Sequence, residues 1–278
     1  MDFKQFINEI NECVVSAVDL PQGLVLAKNR DRGYKAKVEI LHELIEGTEV
    51  VLWYDTETDW SEGMNEHGIG IVNSSLLVFI DEKESKESKI GGVKKKKMTK
   101  DGKKIRKALT YKKIEDVVEC LLGNKNGGTP LTGQTIVSDG EETYVLEVSR
   151  KYEPIIEKSN QKIIVRSNHG IHHTGLGYTR GKRKESSHSR MELAQEKLQS
   201  AKNPMDVLNI LKKKYVQDPF LNPYRTKTEH NMQTTGQILL NLSRKEVIVR
   251  MDDKEGELMG VKNLLPKGYK AKLKVTIS

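Results

Sequence analysis

The chain has 278 residues, 36% of them hydrophobic and 31% charged, with 47 Lys+Arg against 39 Asp+Glu and a formal charge of +8. That length supports a real core, and recurring hydrophobic runs exclude wholesale disorder. Ten bases and one acid fall between Lys89 and Lys107, so the rest of the chain sums to −1 and a uniformly basic, nucleic-acid-binding fold gains little support.

Two cysteines, Cys13 and Cys120, cannot build a disulfide framework and fit a reducing compartment. No apolar run approaches the ~18 to 20 residues of a membrane span. The start, MDFKQFINEINE, lacks the basic and apolar regions of a secretory signal. The expectation is a soluble, cytoplasmic protein without membrane contact.

In chain order, Phe3, Phe6, Ile7 and Ile10 have the spacing of one helical face. CVVSAV and LVLAKN, joined by the turn residues Asp19 to Gly23, predict a β-hairpin with a five-residue connection. VEILHELIEG favours neither state, whereas EVVLWYD and HGIGIVNSSLLVFI read as strands, the second long and buried. Residues 81–104 are polar, Lys-rich and Gly-punctuated, which predicts a loop insertion. IRKALTYKKIEDVVECLLG predicts one helix stopping at Gly123, with Cys120 on its apolar face.

GQTIVSDGEETYVLEVS predicts a hairpin turning at Asp139-Gly140, and KIIVRSN a strand. SSHSRMELAQEKLQSA predicts a helix beginning at its hydroxyl caps, followed by a second over MDVLNILKKKYV. GQILLNLSRKEVIVRMD gives two strands around Ser243-Arg244-Lys245, and KAKLKVTIS a final edge strand. Hairpins without βαβ alternation point to a single α+β domain with mainly antiparallel sheets.

No phosphate loop, HExxH motif or Cys-rich zinc pattern is present, and Gly175-Leu176-Gly177 is a lone GxG outside a strand–helix context. His169, His172 and His173 lack a carboxylate at metal spacing and read as a polar loop beside Asn168. The acidic run 252–257 lacks the alternating ligands of a calcium loop and reads as a turn. Neither metal nor cofactor is expected.

The informative feature is Cys13 with Lys28-Asn29-Arg30-Asp31 behind it, because a hairpin starting at Cys13 folds those charges back beside the sulfur. A cation near a thiol favours the reactive thiolate. Alternatively, Cys13 is a small buried strand residue followed by a surface charge cluster.

The pattern extends through CVVSAVDLPQGLVLAKNRD, EGMNEHGIGIVNSS, VSDGEETYVLEVS, VRSNHG and ESSHSRMELA. In that order and spacing, over residues 13 to 250, it resembles the N-terminal-nucleophile (Ntn) hydrolases. The similar branch contains choloylglycine hydrolases, penicillin V acylase and the isopenicillin-N acyltransferase-like cysteine amidases.

The resemblance implies αββα layers with two mainly antiparallel sheets. It also implies that Cys13 becomes the nucleophile after scission of the Glu12–Cys13 bond, making residues 1–12 a pro-segment and 13–278 the domain. A free α-amine titrates near ~7.7 to 8.0 and can take the thiol proton itself, so no separate His base is needed. By the same resemblance Asp31 orients that amine, Asn168 and Asn73 support the oxyanion, and Arg190 tunes the field. Lys28 stands where relatives often carry Arg. Read alone, these residues are equally a turn Asn, an inward amide and a surface Arg at a helix start.

The implied reaction is cleavage of a linear, non-peptide amide in a small N-acyl compound, with hydrolysis and acyl transfer using the same residues. The N-terminal helix suits a pro-helix over the pocket or an ordinary packed helix. A non-catalytic Ntn-fold protein that binds nucleic acid or another polyanion through Lys94 to Lys107 is the rival expectation. The sequence leaves oligomeric state open, a homo-oligomer included.

Overall fold

A computed structural model describes residues 12–33, 38–56, 58–76, 101–125, 128–226, 232–251 and 258–263. The expected N-terminal helix, the acidic turn at 252–257 and the final strand over KAKLKVTIS lie outside them, as does most of the Lys-rich insertion.

The first hairpin sets the frame. β1 (Glu12–Leu20) and β2 (Gly23–Arg32) pair along their whole lengths, with Leu20 opposite Gly23. The connection is therefore two residues rather than the expected five. Gly23 permits this at φ 112°, and a Cβ there would meet Ser243 Oγ at 2.7 Å.

β3 (Val38–Ile45) and β4 (Thr48–Asp55) form a hairpin closed by Glu46 and Gly47, both at positive φ. The ambiguous VEILHELIEG is thus a strand, because its partner β4 supplies the ladder. β5 (Trp60–Asn65) has no apolar alternation to announce it; it pairs with β4 along its whole length, and its polar Glu62 and Asn65 find side-chain partners. β6 covers only Gly70–Ser74, so the expected long strand is short in the described residues.

The expected single helix is two. α1 (Asp101–Ala108) begins inside the expected loop, and α2 (Ile114–Leu122) starts anew after extended Lys113. Gly123 ends α2 in the left-handed region at φ 85°, as its position predicts. β7 (Gly133–Ser138) and β8 (Thr143–Val148) form the expected hairpin around Asp139-Gly140, and β9 (Ile155–Lys158) extends the sheet. β10 (Ile163–Arg166) follows.

α3 (Gly181–Lys197) starts five residues before Ser186, so the serines expected to cap it lie within the helix. α4 (Pro204–Lys212) carries a full capping box from Asn203 and Asp206. β11 (Gln233–Asn241), β12 (Glu246–Met251) and β13 (Leu258–Asn263) complete the described chain.

The strands form two antiparallel sheets, ordered β10-β1-β2-β11-β12-β13 and β3-β4-β5-β6-β7-β8-β9. Strand alternation sorts their apolar residues into separate layers. Val15, Ala17, Leu26, Trp53, Val72 and Ile238 meet between the sheets. Val50, Ile71 and Val137 pack under α1 and α2, whereas Val14, Val25 and Ala27 pack under α3 and α4. The result is the expected α+β, αββα layering. Cys120 lies in the α2 layer, where burial pushes its thiol up despite nearby lysines. Among the described residues no helix is long and apolar enough to cross a membrane.

Candidate active site

At the open end of the β1–β2 hairpin, Glu12 lies opposite Asp31 and Cys13 opposite Arg30. Alternation sends Glu12 and Asp31 toward α3, but Cys13 toward the other sheet, on the face it shares with Val15 and Ala17. The apolar intersheet layer becomes polar here. Lys28 reaches Glu62 and the Asn73 carbonyl, and Arg30 pairs with Asp55 at 2.9 Å over the Trp53 ring. Arg32 Nη1 lies 3.7 Å from Cys13 Sγ and donates to the Asp31 carbonyl at 2.7 Å.

The cation at the sulfur is therefore Arg32, just past the stretch singled out in the sequence. Continuing the two-residue alternation from Lys28 and Arg30 would have found it.

Asn168 follows β10, the neighbour of β1, and its side chain turns back onto the nucleophile candidate. The Cys13 main-chain N–H donates to Asn168 Oδ1 at 3.0 Å. Asn168 Nδ2 donates to Ser74 Oγ at 3.0 Å and to the Ser75 carbonyl at 2.9 Å. The Cys13 carbonyl accepts from Ser167 Oγ and Arg190 Nη1, each at 3.2 Å.

Asn73 is not brought to this point. It shares the face of Ile71 under the outer helices, where its amide donates to Thr135 Oγ1 at 2.7 Å. Ser74, one residue on, faces Cys13, because a single step along a strand reverses the side chain. The reading of Asn73 as an inward amide describes what the geometry shows.

Arg190 is fully buried within α3, not at a surface helix start. It bonds Asn168 Oδ1 at 3.0 Å and pairs with Glu12 at 3.1 Å and Asp31 at 3.3 Å. α3 presents Ser186, Ser187, Arg190 and Ala194 inward, a polar stripe that an apolar-periodicity search overlooks. Ser187 Oγ accepts the Asn168 N–H at 2.9 Å and contacts His169 Nδ1 at 2.8 Å. His169 stacks on His188, and burial, with help from His188 and Arg190, lowers its pKa to about 4.

Two further residues had no sequence signal. Arg225, in a loop, pairs with Glu12 at 2.6 Å and lies 3.7 Å from Asp31. Tyr178 donates its hydroxyl to Glu12 at 3.0 Å. Burial alone would raise both acids. For Glu12, Arg225, Arg190 and Tyr178 outweigh it and hold the carboxyl below the ordinary value. For Asp31 burial prevails over Arg225, Arg190 and the Thr234 hydrogen bond, with Glu12 adding to the rise.

The site thus joins a thiol, a cation beside it and an amide acceptor on its main-chain nitrogen, backed by two acids and two guanidiniums. Among the described residues no cluster of His, Cys, Asp or Glu could hold a metal ion. Such a set can support acyl transfer to sulfur once the nitrogen is a free amine.

No protein-family model and no curated protein matches the chain. Solved structures do. Penicillin V acylase from Agrobacterium tumefaciens is similar with a TM-score of 0.55 at 13% identity, covering 91% of this chain and 86% of that one. Two variant forms of the conjugated bile acid hydrolase from Clostridium perfringens also give 0.55, at 12% and 13% identity, covering 96% of this chain and 99% of theirs. The chain therefore has the Ntn-hydrolase fold of these proteins.

Proposed function

We propose that this chain is an Ntn cysteine amidohydrolase that cleaves a linear, non-peptide amide of a small N-acyl compound after scission of its own Glu12–Cys13 bond. The observation that carries the reading is the environment of one residue. Cys13 has its nitrogen on Asn168 Oδ1 at 3.0 Å and its sulfur 3.7 Å from Arg32. An acceptor suits a future ammonium, and a guanidinium suits a thiolate. The fold shared with an acylase and a hydrolase supports the same reaction class.

In the scission, Sγ adds to the Glu12 carbonyl carbon and the C–N bond breaks. The nitrogen leaves with a proton as the new α-amine, and water hydrolyses the thioester. In turnover the α-amine takes the Cys13 proton and Sγ adds to the substrate carbonyl. The ammonium then passes its proton to the departing amine, and water releases the acid. A second amine in place of water gives acyl transfer at the same residues. Asn168 holds the amine and supplies an amide donor, while Arg190 links Asn168 to Asp31. Asn73 has no part.

Intact-mass measurement tests this. Wild type is expected to lose residues 1–12 and Cys13→Ala to keep them. Wild type that stays whole and hydrolyses no N-acyl amide sinks the proposal.

The buried ion pairs of Glu12 favour a second reading, a permanently uncleaved protein binding a polyanion through Lys94 to Lys107. Part of that stretch is already committed, Arg106 to Asp59 and Lys107 to Glu46. Cytoplasmic location accords with either reading.

A further inference from the structure

The residue before the scissile bond is itself the clue to the substrate. Glu12 is completely buried, and its carboxylate fills a receptor made by other parts of the chain. One oxygen pairs with Arg190 at 3.1 Å and Arg225 at 2.6 Å, and the other accepts from Tyr178 at 3.0 Å.

That receptor is held by more than Glu12. Arg225 donates to Ser186 Oγ at 2.5 Å and packs on the Phe220 ring, and its main-chain N–H donates to Thr234 Oγ1 at 2.8 Å. Tyr178 is tied to the Asn168 carbonyl through its own N–H at 2.9 Å. Arg190 is anchored on Asn168 and Asp31. Removing residues 1–12 leaves two buried guanidiniums against the single carboxylate of Asp31, beside a new amine. A buried charge without a partner is strongly unfavourable, so the vacated position attracts an anion. The mutual repulsion of the guanidiniums, seen in the lowering of Arg190 first by burial and then by Arg225, acts in the same direction.

We infer, resting on the proposed scission, that the substrate's acyl group carries a terminal carboxylate of glutaryl type, which takes the place of the Glu12 carboxylate between Arg190, Arg225 and Tyr178. The chain length follows from covalent structure. The Glu12 carbonyl is the group that Cys13 attacks in the scission, and a substrate carbonyl must be reached by the same sulfur. Between that carbonyl and its side-chain carboxylate, Glu12 places Cα, Cβ and Cγ. A glutaryl amide has the same three-carbon spacing, and so does a γ-glutamyl amide. In turnover the carboxylate neither gains nor loses a proton. It orients the acyl group while the C–N bond breaks and the thioester forms.

The test uses the processed wild-type protein with glutaryl-p-nitroanilide and its uncharged analogue of equal length, pentanoyl-p-nitroanilide. The expected preference in kcat/KM is roughly 10- to 100-fold for the glutaryl compound, the value of hydrogen bonds to a charged group. Arg225→Met, or the milder Tyr178→Phe if the first fails to fold or process, should bring that ratio toward one. Glutarate should also protect Cys13 from iodoacetamide where pentanamide does not, a readout independent of turnover.

A processed protein that neither prefers the glutaryl anilide nor is protected by glutarate overturns the inference and leaves the amidase reading standing. A chain that intact mass shows to be unprocessed overturns the amidase reading, and the inference with it.

Discussion

On the β1–β2 hairpin, the face toward α3 closes two acids against two guanidiniums, whereas the face toward the second sheet carries the thiol beside a row of cations. Glu12 and Asp31 belong to the first, with Arg190 and Arg225. Cys13 and Arg32 belong to the second, with Lys28 and Arg30 matched to Glu62 and Asp55. Consecutive residues on a strand point to opposite sides, so the Glu12–Cys13 bond crosses from one environment to the other. In the proposed scission the charge network would hold the acyl side of that bond, with the sulfur in the other layer. A site built on one face could not grip the carbonyl residue and leave the sulfur unencumbered.

A single substitution disrupts the helix-facing side most. Arg190→Met removes a common partner of Glu12 and Asp31 without a buried replacement. In a Cys13→Ala background, which under the proposed scission stays uncleaved, urea unfolding should show a loss of about 3–5 kcal/mol. A loss below about 1 kcal/mol would mean that the four charges do not act as one set.

The same layer should carry a pH signature. His169, stacked on His188 of α3, has its pKa lowered to about 4, chiefly by burial. A base depressed in the fold binds its proton more readily when unfolded, so its contribution is complete above pH ~6.5 and lost as pH falls toward 4. The His169 contribution should decline by about 1 kcal/mol per pH unit at the steepest part of that window. Asp31, raised by burial, runs the other way, its contribution being lost as pH rises from its ordinary value through its folded one. Denaturation of His169→Gln across pH 4 to 7 checks the assignment, and an unchanged slope would refute it.

How far could the sequence be read? The α+β layering followed from hairpin alternation, and the order of Cys13, Asp31, Asn168 and Arg190 foretold which elements converge. What escaped was whatever depends on a polar residue being buried. β5 and the inward stripe of α3 carry Glu62, Ser186, Ser187 and Arg190, which a hydrophobic pattern assigns to solvent. Asn73 was misplaced by one residue, and in a strand that is a whole face. Arg225 and Tyr178 lie in loops whose path only tertiary packing sets.

The intersheet face is sharpened by a smaller effect. Arg32 Nη1 stands 3.7 Å from Cys13 Sγ, within hydrogen-bonding reach of the sulfur. Cys120 is also buried, but among apolar residues of α2 and the outer sheet, where burial pushes its thiol up. Iodoacetamide under native conditions should therefore label Cys13 ahead of Cys120, with the two sites separated by peptide mass mapping. Arg32→Gln keeps most of the side-chain length and removes the charge. It should slow Cys13 labelling about tenfold, the scale of one hydrogen bond to a charged group, and leave Cys120 unchanged. Arg32→Lys should recover part of the rate, because it restores the charge without the planar fork. Equal slowing at both cysteines would report a general loosening of the fold. Slowing at Cys13 alone assigns the effect to the guanidinium, and with it the division between the face that binds charge and the face that carries the thiol.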